Sequence, residues 1–317
     1  MIPTYNRTKY FEKTLISVLS QDPGVEEMQI EVIDDASALD DPEPLVRRVA
    51  GGRVSFVRQP RHIGQVPNFN SCVERSLGHW VHILHTDDFV LPGFYERLKT
   101  ALAARSDVGA GFCRAVFVDG NDCWVCDSEL ERSTPGILPD FIERISVSQR
   151  IVTPTIVVRR NVYQKLGGYL PDLKYTPDWQ MWIRIAANYP IWYEPAALAA
   201  CRIHSESETA NLMKGGRPVV DMRRCIEISR CLLPPDHADT ISRKAREVAS
   251  LKALNFAWNS LTKAEYRAAL SQAWEGLRCS SSPRVVKALL LLLARVAKAG
   301  VRRPIRMFQR VYNRARV

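Results

Sequence analysis

Residues 80–88 read Trp80-Val81-His82-Ile83-Leu84-His85-Thr86-Asp87-Asp88, an apolar, strand-like run that ends in two adjacent acids. The same plan occurs upstream, where Ile30-Glu31-Val32-Ile33 runs into Asp34-Asp35-Ala36-Ser37. A further strand candidate covers 54–58, and helical patterns fill 10–21, 44–50 and 68–77. Strands alternating with helices predict a mainly parallel sheet wrapped by helices. Ligands in such sheets bind beyond the carboxyl ends of the strands. Both acidic pairs fall there.

The second half has a different texture. Strands are expected at 109–118 and 151–159, and a helix at 177–187, opening at Asp178 and carrying Trp179, Trp182, Ile183 and Ile185. Ile191-Trp192-Tyr193 is a short apolar run, and 199–203 leads into Arg202-Ile203-His204. From about residue 219 the pattern is helical, over 222–233, 239–260, 263–278 and from 283 onward. Pro234-Pro235 and Ser280-Ser281-Ser282-Pro283 are the breaks. The division expected is an α/β region at 1–215 and a helical region at 216–317. Ile2-Pro3-Thr4 reads as the end of a strand with almost nothing before it. A central strand normally has about five residues, so the first strand is expected to be truncated.

Composition sets broad limits. The chain has 317 residues, 46% hydrophobic and 25% charged, which suits a folded protein and excludes a disordered one. Residues 1–13 lack the basic flank and apolar core of a secretion leader. The eight cysteines are scattered and are expected to be reduced thiols in a cytosolic setting. Cys123-Trp124-Val125-Cys126 is a lone pair with no second pair to complete a zinc site. The net charge is +10, yet residues 1–283 hold 34 basic and 34 acidic residues. The excess lies in the last 34 residues, pointing to a local anionic partner and away from a nucleic-acid-coating protein.

Taken in order, IPTYNR, SVLSQ, EVIDDAS, NFNSCVERSLGHWVHILHTDDFVLP and PDWQMWIRIA resemble family 2 glycosyltransferases of the GT-A fold, over about residues 1–210. The resemblance implies an α/β, Rossmann-like mixed sheet with helices on both faces, followed here by a helical extension. It implies inverting transfer of a sugar from a UDP, dTDP or GDP donor to a saccharide or lipid-linked acceptor, with Mn²⁺ or Mg²⁺. Asp88 would then be the metal ligand and Asp87 its helper, since carboxylate oxygens suit hard cations. Asp35 would read the base, with Pro3, Tyr5 and Arg7 completing the nucleoside pocket and Tyr5 stacking on the base. Asp178 would be the general base for the acceptor hydroxyl. Arg202 would close over the diphosphate and His204 would complete the metal shell. Asn68 would touch the donor or cap its helix. Each acid also has a plainer reading, as turn chemistry at 34–37 and 87–88 and as a helix cap at Asp178. Relatives usually carry Gly where Ala36 stands, so this loop is expected to be shaped differently.

Residues 285–298 are apolar with spaced cations, and six arginines follow between 302 and 316. That pattern suits a helix lying at an anionic membrane surface, expected at the cytoplasmic face. An amphipathic helix packed on the protein is the other reading. Two rival functions remain: a degenerate, non-catalytic binding partner, and a nucleotidyltransferase, whose Gly-rich basic phosphate loop is missing here.

Overall fold

The computed structural model describes residues 1–213 and 216–298. The chain forms two compact units. The first takes Met1–Phe141, Arg150–Asp172 and Pro177–His204. The second takes Ile142–Gln149, Leu173–Thr176 and the chain from Ser205 onward.

In the first unit, β1 (Ile2–Thr4), β2 (Glu31–Asp34) and β3 (Ser55–Arg58) form a parallel sheet in the order β1-β2-β3. Helices α1 (Phe11–Leu19), α2 (Glu43–Ala50) and α3 (Gln65–Arg75) connect these strands to one another and to β4 (Trp80–His82). Only three residues long, β1 is buried throughout and held on both sides. It pairs with β2, and the Met1 backbone bonds His82 O at 2.9 Å and Leu84 N at 3.0 Å, the pattern of a parallel ladder. Burial follows helical spacing: α1 buries Phe11, Leu15 and Val18 against β1 and β2 residues in one core.

Beyond β4 the topology departs from the mainly parallel expectation. The remaining strands are β5 (Phe89–Val90), β6 (Ala110–Val118), β7 (Trp124–Asp127), β8 (Gly136–Ile137), β9 (Ile156–Arg159) and β10 (Ile191–Arg202). They order as β4-β9-β6-β10-β5, with β7 on β6 and β8 on β10. Within this sheet only β6 and β10 pair in parallel. For β6 and β7 the cause is connection length, since a short turn joins them and permits antiparallel pairing alone. Helices α4 (Phe94–Ala103), α5 (Phe141–Val147), α6 (Arg160–Leu166) and α7 (Pro177–Asn188) fill the longer connections.

Two strand expectations are corrected. Residues 151–155 are not strand, because Pro154 closes a 3₁₀ turn at Thr153–Thr155 ahead of β9. The runs at 191–193 and 199–203 are one strand, whose register slips between Glu194 and Ala199. Pro195 lies in that interval and has no N–H for the ladder, so a bulge joins two runs that read as separate.

The second unit holds α8 (Glu208–Met213), α9 (Arg217–Ser229), α10 (Ala238–Thr262), α11 (Tyr266–Cys279) and α12 (Pro283–Lys298). The stripe Val285, Leu289, Leu292 and Val296 of α12 is buried with Leu254 and Ala257 of α10 and Ala273 and Leu277 of α11. That face is therefore committed to the protein, while Leu290 and Leu291 stay exposed. The arginines of 302–316 lie outside the described residues. No described helix is long and apolar enough to cross a membrane. All eight cysteines are free, and Cys123 and Cys126 are exposed.

Ala36 also corrects an expectation. Its φ is +59°, so the loop keeps the left-handed geometry that a glycine would supply. Such a conformation costs an alanine about 1–2 kcal/mol, against about 0.5–1 kcal/mol of added chain entropy for glycine. Ala36→Gly should therefore stabilise the fold by about 0.5–1 kcal/mol in urea unfolding, and a loss of stability would contradict the strain. In the second unit, a Cβ on Gly276 would stand 2.9 Å from Ala253 Cβ, and the Ser250 hydroxyl donates to the Gly276 carbonyl. Gly276→Leu should destabilise the protein by roughly 1–3 kcal/mol, read from the same unfolding midpoint.

Candidate active site

Directly after β4 the chain turns, and the Asp88 N–H donates to the His85 carbonyl at 3.2 Å. The buried Thr14 hydroxyl of α1 reaches the Thr86 and Asp88 carbonyls at 3.0 and 2.7 Å. The acidic turn is thereby fixed to the first core helix.

Asp88 is nearly enclosed, its side chain 4% exposed. Its Oδ1 accepts the Arg202 backbone N–H at 2.9 Å. Burial, and then the charge of Asp87, raise its pKa well above the carboxylate range. Asp87 is more open and touches His204 Nε2 at 3.0 Å, with Arg7 Nη1 at 4.0 Å. Burial works to raise Asp87 too. The hydrogen bond from His204 and the electrostatic interactions with His85, His204 and Arg7 outweigh it and hold Asp87 below its ordinary value.

His85 joins the two acids, although the sequence reading did not single it out. Its Nδ1 lies 3.7 Å from Asp88 Oδ2. Its Nε2 is buried with no hydrogen-bond partner among the described residues. One ligand atom from each of His85, Asp87 and Asp88 falls within 4.8 Å of the others. Burial lowers the His85 pKa, which favours the neutral, ligating imidazole. Two carboxylates and one imidazole, each offering one ligand atom, fit a divalent cation. The signal was present in the sequence as the three-residue spacing from His85 to Asp88 across a turn.

Arg202 was expected to close over a diphosphate. Its side chain is instead 1% exposed and engaged with the protein. Nε donates to Asp87 O at 3.0 Å, Nη1 to Asp119 O at 3.0 Å, and Nη2 pairs with Asp122 at 2.6 Å. Its guanidinium also packs over the Tyr10 ring at 4.2 Å. In this geometry Arg202 positions the acidic turn. His204 sits on Asp87, and its Nδ1 is buried without a partner among the described residues.

Asp178 is the second residue of α7, which begins at Pro177, so it lies inside the helix and is not the residue that precedes it. Its Oδ1 accepts the Trp179 N–H at 2.7 Å. Burial chiefly, then Asp88, Asp87 and Asp178, push the Cys201 pKa up.

The nucleoside candidates gather at the ends of β1 and β2. Asp35 is buried, and its oxygens accept the Ile63 and Gly64 N–H groups at 2.7 and 2.8 Å. His62 Nδ1 lies 2.8 Å from the same carboxylate. The Tyr5 ring stacks on His62, with centroids 4.0 Å apart at 19°. Pro3 pairs with Ile33 inside the sheet. Asp34, next to Asp35, is structural: it accepts from Ser37 and pairs with Arg58 at 2.8 Å. Asn68 does not cap α3, which starts at Gln65. It is buried, and its side-chain amide donates to Ile33 O at 3.0 Å, tying α3 to β2.

The chain is similar to known proteins in sequence and in fold. An uncharacterised Mycobacterium tuberculosis protein, MT1568, is 26% identical over 236 residues, 71% of this chain and 73% of that protein. The Rhizobium meliloti succinoglycan biosynthesis protein ExoO is 29% identical over 145 residues, 45% of this chain and 41% of its own length. Among solved structures, S. aureus TarS 1-349 in complex with UDP-GlcNAc superposes with a TM-score of 0.70 at 16% identity, covering 99% of this chain and 90% of that one. The Pyrobaculum calidifontis mannosyltransferase PcManGT, in complex with GDP-Man and Mn²⁺, gives 0.55 at 18% identity, covering 99% and 83%. These two likenesses are of fold. The description "Glycosyl transferase family 2" matches residues 1–167, more than half of the sequence, and the chain belongs to that family.

Proposed function

We propose that this protein transfers a glycosyl group from a nucleoside diphosphate sugar to an acceptor hydroxyl, with inversion at the anomeric carbon. The observation that carries the reading is the acidic turn after β4, where His85, Asp87 and Asp88 converge. A donor complex of TarS with UDP-GlcNAc and one of PcManGT with GDP-Man and Mn²⁺ support the substrate class. The name of ExoO, a succinoglycan biosynthesis protein, supports a polysaccharide or glycolipid product.

In this proposal His85, Asp87 and Asp88 hold a divalent cation. When bound, that cation neutralises the charge gathering on the departing diphosphate. The protein's own residues do the rest. Asp35 accepts hydrogen bonds from the base, with Tyr5, Pro3 and Arg7 beside it. Asp178 takes the proton from the acceptor hydroxyl while the sugar carbon is attacked from the face opposite the leaving group. The proton ends on Asp178 and the bonding pair on the diphosphate, so no covalent intermediate is required. Arg202 and His204 hold Asp87 and Asp88 in position. The catalytic region is proposed to span 1–215. The basic residues of 284–317 are proposed to hold the protein at an anionic membrane surface, where a lipid-linked acceptor would be found.

Two outcomes are expected. With Mn²⁺ present, wild type should hydrolyse or transfer from one of UDP-, GDP- or dTDP-sugars. Asp88→Ala and Asp178→Asn should each lose at least about a hundredfold in rate, the scale of general base and charge-stabilisation effects. Full activity of Asp178→Asn would remove it as the base. The second outcome concerns stability. Asp88 is buried beside a like charge, so Asp88→Asn should raise the melting temperature in EDTA by roughly 2–4 °C. Mn²⁺ should stabilise wild type and not this variant. A lower melting temperature for Asp88→Asn in EDTA would show that the carboxylate is compensated without a cation.

A further inference from the structure

The helical unit carries a cavity that glycosyl transfer does not use. It has a volume of about 330 Å³ and is lined by Arg230, Asp239, Ser242, Arg243, Arg246 and Cys279, with Ser280 at its edge. That size lies at the lower end of small-molecule sites, which run about 300–1,000 Å³.

Its charge is unbalanced. Three arginines surround one carboxylate. Asp239 is matched by Arg230, whose Nη2 lies 2.6 Å from Oδ1. Arg243 acts on Asp239 only at longer range. Arg243 and Arg246 form no ion pair among the described residues. Two buried polar atoms of these residues also lack partners among the described residues. Ser242 is 5% exposed and its Oγ has no hydrogen-bond partner, and neither has the buried Nε of Arg246. Arg246 lies close to the buried Cys279 sulfur. Burial pushes that thiol up to about 11, and the Arg246 charge acts against the rise. Four of the lining residues, Asp239, Ser242, Arg243 and Arg246, lie in the first nine residues of α10.

The lining therefore keeps two guanidinium groups without a carboxylate partner among the described residues. A neutral sugar would leave the cationic excess in place. A phosphate group offers several anionic oxygens, and arginine forks match it geometrically. We propose that this cavity binds a phosphate mono- or diester, with the guanidinium groups of Arg243 and Arg246 donating to its oxygens. The shared chemistry allows two sources, a soluble phosphate ester and the headgroup of an anionic phospholipid.

The test uses the full chain and the double variant Arg243→Gln/Arg246→Gln, with an unchanged melting curve as the control for folding. Calorimetric titration with glycerol 3-phosphate, and co-sedimentation with phosphatidylglycerol or phosphatidylcholine vesicles, separate the sources. Binding of glycerol 3-phosphate that weakens at least about tenfold in the variant supports the site and names a soluble ester. No soluble binding, with phosphatidylglycerol binding that weakens to the same extent, supports the site and names the headgroup. Equal behaviour of wild type and variant in both arms overturns the proposal. Catalytic rates bear on the glycosyl-transfer reading and not on this one.

Discussion

Two adjacent carboxylates cannot both be anionic in a protein interior unless something offsets them. Asp87 and Asp88 meet that constraint unequally. Asp87 is held ionised by His204, with Arg7 at longer range, while Asp88 is pressed toward its protonated form by burial and by Asp87 itself. Neighbouring groups can be read as answers to this imbalance. Thr14 secures the turn from α1, the Arg202 N–H bonds Asp88, and the Arg202 guanidinium holds the backbone of Asp87.

The offset extends beyond the turn as an alternation of charge. Arg202 passes from Asp87 and Asp88 to Asp122, and Asp122 meets Lys13 at 2.9 Å. Asp119 and Asp122 belong to the turn joining β6 to β7, and Lys13 belongs to α1. The acidic turn is therefore tied to a helix, a hairpin and the last strand. The bulge in β10 matters for this reason: after the register slips, the strand resumes pairing and delivers Arg202 opposite Val118. A deletion there would rotate Arg202 to the other face of the sheet.

The sequence made the first half legible because its signals are local. An apolar run ending in acids, repeated at 30–35 and 80–88, placed β2, β4 and both acidic clusters. The fold class was read correctly, and Asp35, Asp87, Asp88, Arg7, Arg202 and His204 were named as candidates for the site. What could not be read depends on partners distant in the chain. The antiparallel strands β5, β7 and β8 are two to four residues long and carry no periodicity of their own. Arg202 looks like a ligand-facing cation until its acceptors at 87, 119 and 122 are known. The apolar stripe of α12 reads equally as a lipid face or a packing face, because either environment requires the same residues. Ala36 shows the opposite failure. A residue-level rule against positive φ was overridden by the loop around it, where Ser37 caps Asp34 and its hydroxyl accepts the Asn6 N–H.

The nucleoside end shows how much of the proposed site is assembled in advance. Both oxygens of Asp35 accept backbone N–H groups of the loop before α3, and a carboxylate offers about four acceptor positions. Capacity for a base therefore remains after the loop has been fixed. His62 is half exposed and occupies one of the remaining positions while covering one face of Tyr5. A nucleobase would either replace His62 on Tyr5 or stack with it, and both routes leave the Asp35–Ile63–Gly64 bonds intact. The loop is fixed by the protein's own hydrogen bonds to Asp35. Binding would then carry only the smaller entropy of moving one side chain, which is the physical content of preorganisation.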